Sequence, residues 1–372
     1  MSHYLGLMSG TSIDAIDAAL VDIDLAGRVR LDRYAEFPYP PALAADLHAA
    51  RRQAETLPLD QLYRLDLAVA EAFANSALRL LRDAGMEPAS ITAIGSHGQT
   101  LYHHPHSSAR YTVQVGDPNV IAARTGIATV ADLRRMDMAV GGEGAPLAPA
   151  FHAQALRDPT MYRAIVNIGG IANVTLLEPG RETVIGFDTG PGNALMDEWT
   201  RDHRGEPYDV DGRWAGSAEP DSDLLAALLA DPYFARRPPK STGREYFNAG
   251  WIARHIEEMP AHPDPAVVQA TLLQLTAQTV ARAIAEYASS TAEVYVCGGG
   301  AYNGALMRAI AGALDGRKVA TTAALGIAPN AMEAVTFAWL AHRRLEGLPG
   351  NLPPVTGAAR PAVLGGLYLP PP

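Results

Sequence analysis

Three glycine-rich segments of the sequence carry hydroxyl or carboxylate side chains beside small residues. In the first, the turn Ser9-Gly10-Thr11-Ser12 is followed by Asp14 and Asp17. Backbone N–H groups and hydroxyls in such a turn can surround a phosphate, and nearby carboxylates can meet a phosphate-bound Mg²⁺. A plain turn, in which glycine and serine only satisfy the backbone, explains the same residues. This segment alone leaves both interpretations open.

The second segment, GFDTGPGN at residues 186–193, places three glycines around Asp188. Glycines let backbone amides approach an anion or a sugar closely, and a carboxylate at a strand end is well placed for catalysis. The alternative is a strand-to-helix turn in which Asp188 caps the following helix.

The third segment, Gly298-Gly299-Gly300, follows the apolar run EVYVC and precedes a helix-like stretch. Backbone there can press against a nucleotide base or ribose. It is not a dinucleotide-binding motif, because Asn303 stands where a third glycine is needed, and no Gly-Lys-Ser/Thr marks a Walker P-loop. If ATP binds, another architecture holds it.

Histidines and other titratable residues supply further candidates. The histidine-rich run (His97, His103, His104 and His106) lacks Cys or carboxylate partners at metal spacing, which favours a surface or substrate-contact loop over a metal site. His97 and Gln99, at a strand end between glycines, can hydrogen-bond a sugar.

Three more charged positions, Arg134, Arg135 and Glu333, are ambiguous from the sequence. Arg134 and Arg135 either bind a carboxylate or are solvated. Glu333 either faces a cleft or lies on the exposed side of an apolar helix. Cys297 is interpreted as a small buried residue and not as a nucleophile.

The elements that position these residues alternate between strand and helix. The pattern predicts a hairpin over about residues 3–24, a helix from Asp60 to Ala84 with Asp60 as N-cap and Gly85 beyond its end, and strands at 91–100 and 111–117. This alternation favours a layered α/β fold.

The pattern begins again after a glycine- and proline-rich stretch at residues 132–149. The run RAIVNIGGIANVTLLE predicts a second hairpin, and helices follow at 265–287, 302–314 and 331–345. We expect two related α/β domains, residues 1–135 and 136–372, with the final helix able to return to the first domain. The tail after this helix is expected to be irregular.

Length and composition bound the class of protein. The 372 residues carry 30 basic and 40 acidic side chains, a net charge of −10, and 48% are apolar, so two folded domains fit and disorder does not. The acidic balance opposes nucleic-acid binding. Asp14 and Asp17 interrupt the apolar N-terminal stretch, which excludes a signal peptide or membrane span there. A single cysteine fits a reducing compartment, and we expect a cytoplasmic protein.

Seven motifs occur in the order seen in one enzyme family: LGLMSGTSIDAID, IGSHGQT, DLRR, GGEGAPLAP, NIGGIANVT, GFDTGPGN and CGGGAYN. On these motifs the chain resembles the anhydro-N-acetylmuramic acid kinases of bacterial cell-wall recycling, from about residue 4 to residue 368. The departures are Ala15, where the family usually has glycine, and Ile13 in place of leucine. Ala15 puts in doubt only a positive φ angle at that position.

The resemblance implies a two-domain actin-like and hexokinase-like fold with an interdomain cleft. It also implies conversion of 1,6-anhydro-N-acetylmuramate, ATP and water to N-acetylmuramate 6-phosphate and ADP with Mg²⁺, usually by a homodimer. The expected roles are catalytic base for Asp188; ATP contacts for Gly10, Thr11, Ser12, Ile13, Asp14, Ala15, Ile16, Asp17, Gly298, Gly299 and Gly300; a metal ligand for Asp14; and sugar contacts for His97, Gln99, Arg134 and Glu333.

Three other functions fit parts of the sequence. Another amino-sugar kinase of the same fold would phosphorylate a free hydroxyl, with Asp188 deprotonating the alcohol directly. An ATP-regulated binding protein of the actin and chaperone type would need a long partner-binding region, and none follows Arg360. A glycosidase with two acids is disfavoured, since its chemistry has no use for three glycine loops.

Overall fold

The computed structural model describes residues 2–24, 27–53, 56–107, 109–181 and 183–372. Its strands, in chain order, are β1 (Ser2–Ser9), β2 (Ile16–Ile23), β3 (Val29–Phe37), β4 (Ile91–His104), β5 (Tyr111–Val115), β6 (Thr129–Ala131), β7 (Arg163–Ile168), β8 (Ile171–Leu177), β9 (Ile185–Pro191), β10 (Glu293–Cys297), β11 (Lys318–Thr321) and β12 (Gly366–Tyr368).

Helices connect these strands and cover the sheets that they form. They are α1 (Pro41–Arg52), α2 (Leu59–Ala84), α3 (Pro118–Thr125), α4 (Arg135–Ala139), α5 (Ala148–Ala155), α6 (Asn193–Arg204), α7 (Ser222–Leu229), α8 (Ala249–Glu257), α9 (Pro265–Tyr287), α10 (Gly304–Ala313), α11 (Met332–Leu345) and α12 (Pro353–Thr356). Among the ranges given above, no helix is long and apolar enough to cross a membrane.

The chain divides into two compact units. Unit 1 contains Met1–Leu156 and Asn330–Pro372, and unit 2 contains Arg157–Pro329. This division differs from the boundary at residues 135 and 136 expected from the sequence. The glycine- and proline-rich stretch that suggested a crossing includes α4 and belongs to unit 1, because buried Asp137 accepts hydrogen bonds from Asn351 Nδ2 (2.6 Å) and Thr356 Oγ1 (2.8 Å).

Unit 1 is built on a sheet with the strand order β12-β6-β4-β1-β2-β3, and β5 pairs with the far end of β4. The meander β1-β2-β3 is antiparallel, whereas β4 runs parallel to both β1 and β6. Leu5 and Leu7 of β1 join the apolar cluster formed by α1 and α2. On the opposite side, α11 packs directly on β1 and β4.

Two glycines permit this close packing of α11. A Cβ atom at Gly6 would stand 1.7 Å from the carbonyl oxygen of Ala334, and one at Gly95 would stand 1.9 Å from that of Phe337. The backbone of α11 would have to move to relieve such contacts, and that movement is costly. The position of α11, and therefore of Glu333 near its start, depends on having glycine at these two positions of β1 and β4.

Unit 2 repeats the plan of unit 1. Its sheet has the order β11-β10-β7-β8-β9, in which β7-β8-β9 is an antiparallel meander and β10 lies parallel to β7 and β11. Read from the meander outwards, strands β9-β8-β7-β10-β11 correspond to β3-β2-β1-β4-β6. The core of unit 2 joins these strands to α9, α10 and the aromatic residues Tyr233, Phe247 and Trp251.

The duplicated sheet confirms the expected α/β fold built from two related halves. Both hairpins and the helix 265–287 are where the pattern predicted them, and Gly85 ends α2 in the left-handed conformation. The N-cap of α2 is Pro58, so Asp60 was wrongly assigned and lies in the first turn. The tail is not wholly irregular, because β12 pairs antiparallel with β6.

Candidate active site

The segment from Gly10 to Asp17 forms the connection between β1 and β2 in unit 1. Ile13 N donates to Gly10 O (3.2 Å), and Ser9 Oγ donates to Ala15 O (2.9 Å), which closes the loop at its base. The side chain of Ile13 is buried, while Asp14 is exposed at the tip. The loop therefore presents backbone and a carboxylate outwards and anchors itself through its apolar residues.

The left-handed residue of this loop is Ile13, with φ 61°. Ala15, the position where the family usually has glycine, does not have a positive φ. The doubt that Ala15 raised about the loop is thereby removed, since an alanine fits its backbone conformation without strain.

Gln99 fastens this loop to β4. Its Nε2 donates to Gly10 O (3.1 Å), its Oε1 accepts from the Tyr39 hydroxyl (3.3 Å), and the side chain has no exposed surface. The predicted sugar contact of Gln99 is disfavoured by this burial. Its geometry suits a residue that holds the loop in place.

In unit 1, the buried His97 is hydrogen-bonded to the half-buried Arg134. Arg134 Nε donates to His97 Nε2 (2.8 Å), and His97 Nδ1 lies 2.9 Å from Gly98 O, so the imidazole is the neutral tautomer protonated on Nδ1. Burial and the adjacent guanidinium hold the pKa of His97 well below its ordinary value. The pair directs the guanidinium of Arg134, whose own pKa burial lowers to about 10.

Glu333 and Asp17 bring two carboxyl groups to the same side of unit 1 as Arg134. Burial raises the pKa of Glu333, and the charge of Arg134 opposes that rise. Burial also raises the pKa of Asp17 to about 7, with Glu333 adding to the shift and a hydrogen bond from the Tyr34 hydroxyl opposing it. Glu333 is half-buried and does not lie on the exposed side of α11.

Asp137 is a residue of this group that sequence reasoning missed. It is fully buried, and its Oδ2 accepts from Gly144 N (2.8 Å), while Gly144 O accepts from Arg134 Nη1 (2.8 Å). A buried carboxylate thus fixes the glycine loop that orients the guanidinium. The one sequence feature that could have drawn attention to Asp137 is its position two residues after the basic pair of DLRRMD.

Asp188 lies within β9, the edge strand of the sheet in unit 2. Its Oδ2 accepts from Thr242 N (3.0 Å), its N donates to Lys240 O (3.1 Å), and its O accepts from the Tyr233 hydroxyl (2.7 Å). The N-cap of α6 is Gly192, so Asp188 is not the helix cap that was its alternative interpretation. The carboxylate is held in one orientation by the segment 233–242.

Lys240 and Tyr233 were also missed from the sequence. The ammonium of Lys240 lies 4.8 Å from the centre of the Tyr233 ring, and burial lowers the pKa of Lys240 while the charge of Asp188 opposes the shift. Tyr233 and Thr242, which both bond to Asp188, lie 45 and 54 positions after it in the chain, and Lys240 lies between them. No short motif links positions so far apart, so only the fold could find them.

The Gly298–Gly300 loop lies between β10 and α10 and contacts β7. A Cβ at Gly298 (φ 78°) would stand 2.4 Å from Asn167 Oδ1, and one at Gly300 would stand 2.4 Å from Ile168 Cγ2. Gly299 is exposed, so its backbone is the part of the loop that a ligand can reach. Two of the three glycines are thus required by packing.

The predicted site residues fall into two groups. Unit 1 holds the Gly10–Asp17 loop, His97, Gln99, Arg134 and Glu333, and unit 2 holds Asp188 with Gly298–Gly300. Within the described ranges no three His, Cys, Asp or Glu side chains are placed to hold a metal ion. His104 stacks on Tyr102 and Tyr111 at the end of β4, so part of the histidine run is a strand and not a loop.

Two units with one repeated sheet plan define a two-domain protein of the actin-like and hexokinase-like fold class. The family model described as "Anhydro-N-acetylmuramic acid kinase" matches residues 2–370. The chain belongs to the anhydro-N-acetylmuramic acid kinase family.

Curated relatives agree with this assignment. The chain is 50% identical over 367 residues to an anhydro-N-acetylmuramic acid kinase from Xanthomonas campestris pv. campestris (strain 8004), covering 98% of this chain and 97% of the relative. It is 47% identical over 367 residues to one from Shewanella baltica (strain OS223), covering 99% and 98%.

Solved structures are more distant. A ROK family glucokinase from Streptomyces griseus in complex with glucose and AMPPNP is 15% identical, with a TM-score of 0.40 over 92% of this chain and 100% of the other. The activator of the 2-hydroxyisocaproyl-CoA dehydratase from Clostridium difficile, with bound ADPNP, is 11% identical with a TM-score of 0.45, covering 92% and 96%.

Proposed function

We propose that the protein cleaves the 1,6-anhydro bond of 1,6-anhydro-N-acetylmuramate with water and phosphorylates O6 with ATP, as a step of cell-wall recycling. Family membership over residues 2–370 supports this reaction. The structural observation that carries the proposal is the fixed orientation of Asp188, whose Oδ2 accepts from Thr242 N at 3.0 Å.

The substrate dictates the order of bond changes. Its O6 is bridged to C1 and offers no hydroxyl to a kinase, so ring opening accompanies phosphoryl transfer. Asp188 takes a proton from water, the water oxygen bonds to C1, the C1–O6 bond breaks, O6 bonds to the γ-phosphorus and ADP leaves. Capture of O6 by phosphorus replaces the general acid of a glycosidase.

The residues of unit 1 suit recognition of an anionic sugar. Arg134 keeps its charge despite burial, since its pKa is still about 10, and His97 fixes its direction. We assign the lactyl carboxylate of the substrate to this guanidinium and sugar hydroxyls to Glu333. His97 is neutral at physiological pH and therefore positions Arg134 without competing for the anion.

The Gly10–Asp17 loop and Gly298–Gly300 are our proposed contacts for ATP. The exposed Asp14 carboxylate beside an open turn has the hard oxygen chemistry that Mg²⁺ prefers, and Mg²⁺ is commonly held by one or two carboxylates together with substrate phosphates. When bound there, Mg²⁺ would neutralise charge on the transferred phosphoryl group.

The location of solvent oxygen in the product tests the reaction. The protein is incubated with ATP, Mg²⁺ and 1,6-anhydro-N-acetylmuramate in ¹⁸O-water, and the label is located by mass spectrometry. We expect the label at C1 of N-acetylmuramate 6-phosphate. Label in inorganic phosphate without a sugar product would contradict the proposal, and turnover only with sugars that have a free hydroxyl would favour the alternative amino-sugar kinase.

Assembly and location are part of the same proposal. We expect a homodimer in the cytoplasm, and light scattering coupled to size-exclusion chromatography measures its mass directly. The chain mass is 39.4 kDa, so a particle of twice that mass at micromolar concentration agrees with the proposal. A particle of 39.4 kDa would remove the dimer from it.

A further inference from the structure

A pocket lies in unit 1, beside the amino end of α3 and against α2. Its volume is about 310 Å³, at the small end of the roughly 300–1,000 Å³ typical of ligand sites. Ser96, Asp66, Gln114, Tyr63 and Tyr368 contribute to its walls. Of the residues predicted to bind substrate, His97 alone reaches it, while Gln99, Arg134 and Glu333 do not line it.

The pocket contains a buried polar group without a partner. Ser96 is 1% exposed, and its Oγ makes no hydrogen bond to any residue in the described part of the chain. Leaving a buried hydroxyl unpaired costs about 1–3 kcal/mol, so such a group usually meets water or a ligand. Because Ser96 follows Gly95 in β4, its side chain lies on the face of the sheet opposite to α11.

Two further side chains of the pocket present hydrogen-bond acceptors. Asp66 Oδ1 accepts from Gly116 N (2.7 Å), and no donor within the described residues meets its Oδ2. Gln114 Nε2 donates to Thr100 Oγ1 (3.1 Å) and Thr112 Oγ1 (2.7 Å), and its Oε1 lies on the other branch of the amide, away from these two acceptors. Asp66 Oδ2 and Gln114 Oε1 are therefore two acceptors that line this pocket.

The charges of the pocket favour a neutral or cationic ligand. Asp132 at the rim is paired with Arg135 Nε (2.6 Å), whereas Asp66 has no ion-pair partner among the residues described, which leaves one negative charge. The tyrosine rings of Tyr63 and Tyr368 offer flat apolar surface at the same opening. Aromatic rings beside several acceptors are a surface on which a hydroxylated ring can stack and donate.

We infer that this pocket is a second binding site, distinct from the proposed active site, for a single sugar ring rich in hydroxyl groups, and that an ammonium on the ring strengthens binding. The hydroxyls donate to Gln114 Oε1 and Ser96 Oγ, and the ammonium pairs with Asp66. One face of the ring lies on Tyr63. An amino sugar therefore binds more tightly than the matching neutral sugar.

Binding of glucosamine, glucose and N-acetylglucosamine to the full chain tests the inference, by isothermal titration and saturation-transfer NMR at pH 7. We expect one glucosamine per chain, bound more tightly than glucose or N-acetylglucosamine. Gln114→Met and Asp66→Asn each weaken it about tenfold, the effect of losing one hydrogen bond to a charged or buried group. Asp60→Asn, on the exposed side of α2, is the matched control and leaves binding unchanged.

Adding saturating 1,6-anhydro-N-acetylmuramate without ATP shows whether glucosamine binds in this pocket or in the proposed active site. Unchanged glucosamine affinity supports a separate site, and displacement of glucosamine overturns it, because the pocket would then belong to the substrate site. The inference is also overturned if none of the three sugars binds up to about 50 mM, well above the roughly millimolar range of weak specific ligands. Equal weakening by Asp60→Asn and Gln114→Met would likewise overturn it.

Discussion

Arg134 donates its Nε–H to Nε2 of His97 across 2.8 Å, and His97 in turn is bonded through Nδ1 to the backbone of its own strand. The guanidinium is therefore oriented by β4, while its Nη1 is bonded to Gly144 O. Two fixed bonds on one planar group leave a defined direction in which it can meet an anion.

Arg134→Lys should raise the KM for the sugar about 10- to 100-fold, the effect of losing one or two charged hydrogen bonds, while kcat changes less. A lysine cannot reproduce both fixed bonds, because its ammonium is a point charge without a planar fork. Steady-state kinetics with varied sugar measure the effect. Arg124→Lys, at an exposed ion pair with Glu71, is the control. An unchanged KM would show that Arg134 does not contact the substrate.

Asp188→Asn should reduce turnover by about 10²- to 10⁴-fold, the usual contribution of a general base. The amide can still accept from Thr242 N, so the local fold and ATP affinity are expected to persist. Quenched-flow assays and calorimetric ATP binding measure the two quantities. Asp315→Asn removes an exposed acid of the same unit and should not alter either. Turnover near that of the native protein would exclude Asp188 as the base.

Tyr233→Phe should lower kcat about 5- to 10-fold and change both KM values less than twofold. The substitution removes the 2.7 Å bond to Asp188 O, which is worth about 1 kcal/mol, and loosens the strand that aims the carboxylate. Tyr246→Phe, which loses a hydroxyl bond to Asp231 nearby, is the matched control. Equal effects of both changes on kcat would indicate a general loss of stability instead of positioning.

Asp17→Asn should stabilise the protein above neutral pH by up to about 4 kcal/mol, because the pKa of Asp17 rises from 3.8 to about 7 and each unit is worth about 1.4 kcal/mol. The pKa of Asp17 is about 7 in the folded protein, above its unfolded value, so the folded state holds this proton more tightly. Stability from this group is complete below about pH 4 and is lost as pH rises through 7.

Urea unfolding at pH 4.5, 6 and 8 measures that dependence. The gain of Asp17→Asn over the native protein should grow from pH 4.5 to pH 8, where native Asp17 carries a buried charge. Asp46→Asn, at an exposed position of α1, should show no such trend. A gain that is independent of pH would show that the titration of Asp17 is not its cause.

Gly95→Ala should destabilise unit 1 by about 3 kcal/mol or more, at the upper end of overpacking effects, because its Cβ would meet the backbone of α11 at 1.9 Å. Gly312→Ala in α10 has open space around its Cβ and should stabilise by about 0.5–1 kcal/mol. Thermal and urea unfolding compare the two. Tolerance of Gly95→Ala would mean that α11 can move away from the sheet.

Local patterns were sufficient to predict the elements but not their partners. The two hairpins and α9 follow from apolar periodicity within single segments. The division into units differs from the predicted boundary, and Asp137 shows why: it bonds to Asn351 and Thr356, more than 200 positions away, which no local pattern records. Gly6 and Gly95 lie in the motifs LGLMSGTSIDAID and IGSHGQT, but the motifs do not reveal that both glycines are needed for the packing of α11.

The candidate site divides in the same way. Asp188 and Arg134 were predicted as site residues because they lie in short, distinctive segments. Tyr233, Lys240 and Thr242 were missed because they come close to Asp188 only when the segment 233–242 packs beside β9 in the folded protein. The sugar contact of Gln99 stays a prediction, and its burial and its bonds to Gly10 O and the Tyr39 hydroxyl could not be read from the residues around it.

Because β12 pairs with β6, the two units can complete their folding at different times during synthesis. Residues 157–329 form one continuous stretch, so unit 2 can fold as soon as it leaves the ribosome. The sheet of unit 1 is incomplete until residues 330–368 emerge, because they supply α11 and the strand β12 that pairs with β6. Nascent chains halted before Asn330 should thus expose the glycine face of β1 and β4 to chaperones, while the later-made unit is already protected from proteases.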